Sequence, residues 1–238
     1  MKSFLLLNCL GLTKILTIVF LHGLKSDLEG KKPLFLNKYC KKKKVNFLSL
    51  EYSGHGKSYG KFENGTISQW RNNVKFVIHK IVKKEKFLII GSSLGAWLGL
   101  LQFQDFKTQI IGFIGIGSAP EFLDRLIWQK LKNNEKKLFF KKKFYMLKSD
   151  GYEYKIKLAL LKDGRENKVL NKRINLKIPV FLIHGKKDDV VPLKLSKKIF
   201  SIFPQAKKKI KIIKGGDHSL SRKGDLKKIA NLMDKIIY

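Results

Sequence analysis

Two hydroxyl side chains, Ser92 and Ser93, lie between Gly91 and Gly95, where the apolar run "KFLII" meets the apolar stretch "LGAWLGLLQF". The five residues fit G-x-S-x-G, in which the middle serine sits on a tight strand-to-helix turn that only small neighbours permit. That turn pushes the Ser93 hydroxyl forward as a nucleophile and aims the next backbone N–H, from Leu94, at the place where an oxyanion forms. Glycine and serine co-occur in many loops, so the strand before the motif and the helix after it carry much of its meaning. A serine hydroxyl attacks an acyl carbonyl only when a base takes its proton and an acid holds that base in the right tautomer. Two partners are therefore required.

Both are found downstream. After "PVFLI" comes "HGKKDDVVP", with Asp188 three residues past Gly185; Asp189 competes, but the H-G-x-x-D spacing favours Asp188. Of the five histidines, His79 falls inside a helical stretch, and His22 and His184 close strands ahead of a glycine, where backbone geometry and local hydrogen bonding are their usual work. His55 lies in "YSGHGKS". His218, in "KGGDHSLS", is the one histidine that follows the Asp188 strand, giving the chain order Ser93, Asp188, His218. A second oxyanion donor belongs in the loop after the first central strand, at His22-Gly23-Leu24, and is assigned to the Leu24 N–H. The loop "SGHGKS" (53–58) lacks the G-x-x-x-x-G-K-[ST] spacing of a phosphate loop and reads as a pocket wall.

These residues need a scaffold that brings distant loops to one edge. Short β-branched runs, "ILTIVFL" (15–21), "NFLSLEY" (46–52), "FLIIG" (87–91), "IIGFIGIG" (110–117), "PVFLIHG" (179–185) and "KIKIIKG" (209–215), alternate with helical stretches. That rhythm predicts a single α/β domain, its mostly parallel sheet covered by helices on both faces. The stretch 68–84 is amphipathic, with Trp70, Val74, Val77, Ile78 and Ile81 on one face, and 225–238 forms another helix. Residues 119–178 break the rhythm. They read as two or three helices plus a basic, aromatic-bearing hairpin inserted after one strand, a candidate lid whose Phe, Tyr, Trp and Leu side chains line a pocket for an apolar substrate portion.

Composition limits the alternatives. The formal charge is +33, yet only five of the 51 basic residues are arginine, the side chain that base and phosphate recognition favours. Lysines spread from end to end point to compositional bias rather than a specific nucleic-acid site. The rival reading is a noncatalytic binder of anionic membrane or nucleic acid, resting on the lysine runs 41–44, 141–143 and 207–209. Cys9 and Cys40 lack metal-like spacing and read as two reduced thiols. No metal and no cofactor is called for, no segment has the roughly 18 uninterrupted apolar residues of a membrane span, and the expected compartment is the cytoplasm. The expected partner is a small-molecule or acyl-protein substrate carrying an apolar acyl group.

Together these residues resemble the α/β-hydrolase superfamily, from Leu16 to the C-terminus. "EYSGHGKS", "SQWRNNV", "GSSLGAWL", "HGKKDDVVP" and "GGDHSLSRKGDL" are similar to the branch that holds palmitoyl-protein thioesterases, also known as acyl-glucuronide esterases, and their bacterial relatives. The resemblance implies serine-dependent hydrolysis of thioesters or carboxylic esters, with the triad carried over to Ser93, Asp188 and His218. Two departures stand out: Glu51 occupies a position where relatives usually have aspartate, and Ala96 one where they often have a second glycine.

Overall fold

The computed structural model describes residues 6–7, 16–149 and 152–238; Cys9 and Ile15 lie outside them. The strands, in chain order, are β1 (Leu6–Leu7), β2 (Leu16–Leu21), β3 (Asn46–Leu50), β4 (Lys86–Ser92), β5 (Ile110–Ile116), β6 (Phe144–Ser149), β7 (Tyr152–Lys157), β8 (Pro179–Gly185) and β9 (Lys207–Ile213). The α-helices are α1 (Lys31–Lys43), α2 (Ile67–Val77), α3 (Leu94–Gln102), α4 (Asn133–Lys142), α5 (Leu158–Glu166), α6 (Leu193–Lys197), α7 (Ile199–Ile202) and α8 (Lys223–Ile237). Seven strands form the main sheet in the order β1-β3-β2-β4-β5-β8-β9; all neighbours are parallel except β1, which runs antiparallel to β3. This is the α/β-hydrolase fold.

Each central strand is apolar on both sides because each sheet face is covered. Val19, Leu21 and Ile89 point into one core with Trp70 and Val74 of α2 and Leu98 of α3, whereas Ile18, Phe20, Leu88 and Ile90 point into another with Leu36 of α1 and Ile229 and Met233 of α8. Side chains alternate faces along a strand, so a run with no polar residue can only be buried on both sides. The edge strand β9 differs. Lys207, Lys208, Lys209 and Lys211 are exposed along it, and charge on an outer strand discourages pairing with another sheet.

The predicted helix 68–84 ends differently from its pattern. After α2 the chain widens into a π-turn over Ile78–Val82 that stops at Lys83, with φ 56°. A π-turn takes up an extra residue and so advances the phase of the face. Val82 is buried where the 3.6-residue period pointed to Ile81, which is half-buried. Among the described residues no helix is long and apolar enough to cross a membrane.

Between β5 and β8 the chain leaves the sheet. It forms a π-turn (Leu123–Ile127), a 3-10 turn (Trp128–Lys130), α4, the antiparallel β6–β7 hairpin and α5. Several of its aromatic rings pack on one another: Trp128 lies 6.1 Å from Phe139 and 5.3 Å from Phe140, and Phe139 lies 5.9 Å from Tyr145. Phe139, with Trp128 and Tyr145 packed against it, joins the core that also holds Trp70 of α2 and Leu98 of α3, whereas Phe140 is exposed.

Candidate active site

Every residue singled out for chemistry follows the carboxyl end of a parallel strand: Leu24 after β2, Ser93 after β4, Asp188 after β8 and His218 after β9. Ser93 joins β4 to α3 with φ 52° and ψ −113°, a conformation that costs a non-glycine residue about 1–3 kcal/mol and persists only where its surroundings enforce it. They do. Its N–H donates to Ile116 O on β5 (2.9 Å), and its carbonyl accepts from Ala96 N (3.1 Å) and Ala119 N (3.3 Å). A Cβ on Gly95 would sit 2.1 Å from Leu21 O, and one on Gly91 2.5 Å from Ala96 Cα. The two motif glycines thus permit close backbone contact, and Ala96 is buried in the helix that follows.

The three predicted side chains meet. His218 Nδ1 donates to Asp188 Oδ2 (2.8 Å), which leaves Nε2 as the acceptor for the Ser93 hydroxyl (3.1 Å). The Asp188 carboxylate has no solvent exposure, while Asp189 is exposed. Burial raises the Asp188 pKa, but this is outweighed by the hydrogen bond and charge of His218 and by the Val191 N–H, so the carboxyl lies below its usual range. Its second oxygen accepts from Val190 N (3.1 Å) and Val191 N (2.8 Å), which fixes the acid's orientation. His184, set aside as structural by the sequence reading, donates Nε2–H to Val191 O (3.0 Å) and approaches Asp188 Oδ2 at 3.3 Å. Burial lowers its pKa, so it stays neutral beside the acid.

The loop after β2 reaches the serine. A Cβ on Gly23 would lie 3.6 Å from Ser93 Cβ and 3.7 Å from Ser92 O, so the backbone at Gly23 passes close to the turn. His22 anchors this loop: its Nδ1 donates to Gly23 O (2.8 Å), its ring stacks on Tyr52 at 4.1 Å, and Tyr52 Oη donates to His22 O (3.0 Å). The 53–58 loop wraps a carboxylate of the chain itself. Glu51 accepts from Leu28 N (3.3 Å) and Lys57 N (2.7 Å), and a Cβ on Gly56 would collide with it at 2.1 Å. Glutamate in place of the usual aspartate therefore still ties the two loops together.

Sequence reasoning missed Gly117. It has φ 48°, and a Cβ there would press on His218 O and Nδ1 at 3.1 and 3.2 Å, so it backs the imidazole. Its position one residue past β5, level with Ser93, was the available signal. A cleft of about 530 Å³ is lined by Ser53, Tyr59, Lys61 and Asn64, and one of about 380 Å³ by His184, Lys186, Asp188 and Leu193.

Similarities to known proteins follow this geometry. The serine aminopeptidase S33 family profile matches residues 155–224, which hold Asp188 and His218 but not Ser93. Mitochondrial palmitoyl-protein thioesterase ABHD10 of Bos taurus is 28% identical over 222 residues, covering 92% of this chain and 72% of that protein. The solved structure of a protein described as a hydrolase from Agrobacterium vitis S4 superposes with a TM-score of 0.88 at 30% identity, covering 94% of this chain and 88% of the other. The mouse α/β-hydrolase domain-containing protein 10 superposes with a TM-score of 0.86 at 27% identity over 99% and 98% of the two chains.

Proposed function

Because the chain belongs to the α/β-hydrolase superfamily and is a hydrolase acting on esters or thioesters, we propose that it works through a Ser93–His218–Asp188 triad and an acyl-enzyme intermediate. The observation that carries this reading is the continuous hydrogen-bonded chain from Ser93 Oγ through His218 to Asp188. His218 Nε2 takes the hydroxyl proton as Ser93 attacks the acyl carbonyl. Asp188, held anionic, keeps the proton on Nδ1 and stabilises the imidazolium that forms. The Leu24 and Leu94 N–H groups receive the oxyanion of the tetrahedral intermediate. Collapse expels the thiol or alcohol, protonated by His218, and water then enters by the reverse sequence to release the acid.

Residues 119–178 serve as the lid over the acyl group, and the substrate is an acylated small molecule or an acyl-protein. The mammalian relatives are named as palmitoyl-protein thioesterases and as mitochondrial. For this chain we propose thioester hydrolysis in the cytoplasm. A panel of acyl-CoA thioesters, S-acyl peptides and p-nitrophenyl esters of graded chain length, run beside Ser93→Ala, tests the reading. The expected result is higher kcat/KM for thioesters than for oxygen esters of the same chain and loss of all turnover in the variant; turnover that survives in Ser93→Ala overturns the mechanism.

A further inference from the structure

The general base sits on a loop that is itself under strain. Leu220, two residues after His218, is fully buried and has φ 48°, a left-handed conformation that a branched side chain adopts only when held there. One holder is local: Leu220 N donates to Asp217 Oδ1 (2.8 Å). The other comes from 187 residues away. Lys32, in the first turn of α1, donates from Nζ to Ser219 O (2.5 Å) and Ser221 Oγ (3.1 Å), the residues on either side of Leu220.

Lys32 is poorly placed for its own helix. A cation in the first turn opposes the helix dipole, and the first turn of α1 holds no acidic residue to offset it. The side chain is half-buried, and burial draws its ammonium from 10.5 down to about 8 against the opposing charge of Asp217. Its hydrogen bonds go to the 219–221 segment. The Gly117 backbone passes close to the imidazole, near enough that a Cβ there would sit 3.2 Å from His218 Nδ1.

We propose that Lys32 is a positioning residue for the general base: it fixes the Ser219–Ser221 segment and thereby holds His218 Nε2 in line with the Ser93 hydroxyl. The inference rests on the triad reading above. Lys32 touches neither the nucleophile nor the acid, so its loss misplaces the base without removing a reacting group, and misplacement lowers turnover rather than ground-state binding.

The full-length chain is assayed on p-nitrophenyl acetate, a substrate too short to depend on the acyl pocket. Lys32→Met, which keeps the stem and removes the donors, is expected to lower kcat about 10-fold with KM changed less than about 2-fold, and Lys32→Arg to recover most of the loss. Ser221→Ala removes one of the two acceptors and is expected to lower kcat about 2–3-fold, which keeps the test decisive should Lys32→Met fail to fold. Unchanged kcat in a folded Lys32→Met protein, or in Ser221→Ala when the methionine variant does not fold, overturns the proposal, as does a loss confined to KM. Wild-type turnover that disappears in Ser93→Ala is measured alongside. An inactive wild type removes the triad reading and this inference with it, whereas an active wild type with unaffected Lys32 and Ser221 variants removes only the inference.

Discussion

The strand-end half of the site and the 119–178 excursion are held by different kinds of contact. At the strand ends, backbone meets backbone so closely that single glycines decide whether the chain can pass, as Gly95 does against Leu21 O. The excursion is fixed firmly at its root. Asp163 Oδ2 accepts from Ser68 N (2.8 Å), Trp97 Nε1 donates to Asn167 O (2.9 Å), and buried Glu121 accepts from Val169 N and Leu170 N. Its hairpin meets the 61–65 segment through side chains: Tyr154 faces Phe62 at 6.5 Å, Lys155 pairs with Glu63 at 3.6 Å, Lys157 Nζ donates to Asn64 Oδ1 (2.6 Å), and Lys25 sits over the Phe62 and Tyr154 rings. Exposed pairs of this kind contribute about 0–1 kcal/mol each. On the proposed reading, chemistry that tolerates little displacement is built on backbone-to-backbone contacts, whereas the proposed lid is held by side-chain contacts.

Substitutions that separate the two halves rank by size. Ser93→Ala is expected to lower kcat/KM by about 10⁴-fold or more with an unchanged melting temperature, read by steady-state kinetics beside a thermal melt. Asp188→Asn is expected to cost about 10³–10⁴-fold in kcat, because the imidazole loses the partner that sets its tautomer. Gly95→Ala, which drives a methyl into Leu21 O, is expected to cost about 10²-fold in kcat together with a lower melting temperature. In the excursion, Lys155→Ala is expected to change KM for long-chain substrates about 2–3-fold and leave kcat on p-nitrophenyl acetate unchanged. A loss of kcat there on the short ester would erase the contrast between the halves.

Much of this contrast was legible in the sequence because the strand-end half is locally encoded. A β-branched run followed by glycine specifies both a buried strand and the tight turn after it, so Ser93, Asp188 and His218 could be found from the G-x-S-x-G motif, the H-G-x-x-D spacing and chain order together. The excursion was legible as helices and a hairpin, but the partners of its rings were not, since whether Trp128 faces a pocket or Phe139 depends on packing between distant segments. The phase shift in the π-turn after α2 escaped for a related reason: periodicity assumes a constant 3.6 residues per turn. Lys32 was hidden among the other lysines of this chain, and only its contacts with the His218 loop distinguish it.

Stability against acid gives a smaller, separate reading of the rigid half. Burial lowers His22 from 6.5 to about 4, and burial with the neighbouring charge of His22 lowers His55 from 6.5 to about 3. Both are neutral when folded and titrate near 6.5 when unfolded, so their contribution is full above pH 6.5 and is lost as pH falls toward 4 and then 3. The melting temperature is expected to drop across that window, and His55→Phe is expected to flatten the drop; an equally steep drop in the variant would show that other groups set it.

The most direct measurement of the central claim is mass-spectrometric mapping of the covalent adduct left by a fluorophosphonate probe. The account predicts a single adduct on Ser93, formed at a rate that falls sharply in His218→Ala. An adduct on another residue, or equal labelling of Ser93→Ala and the wild type, would contradict it.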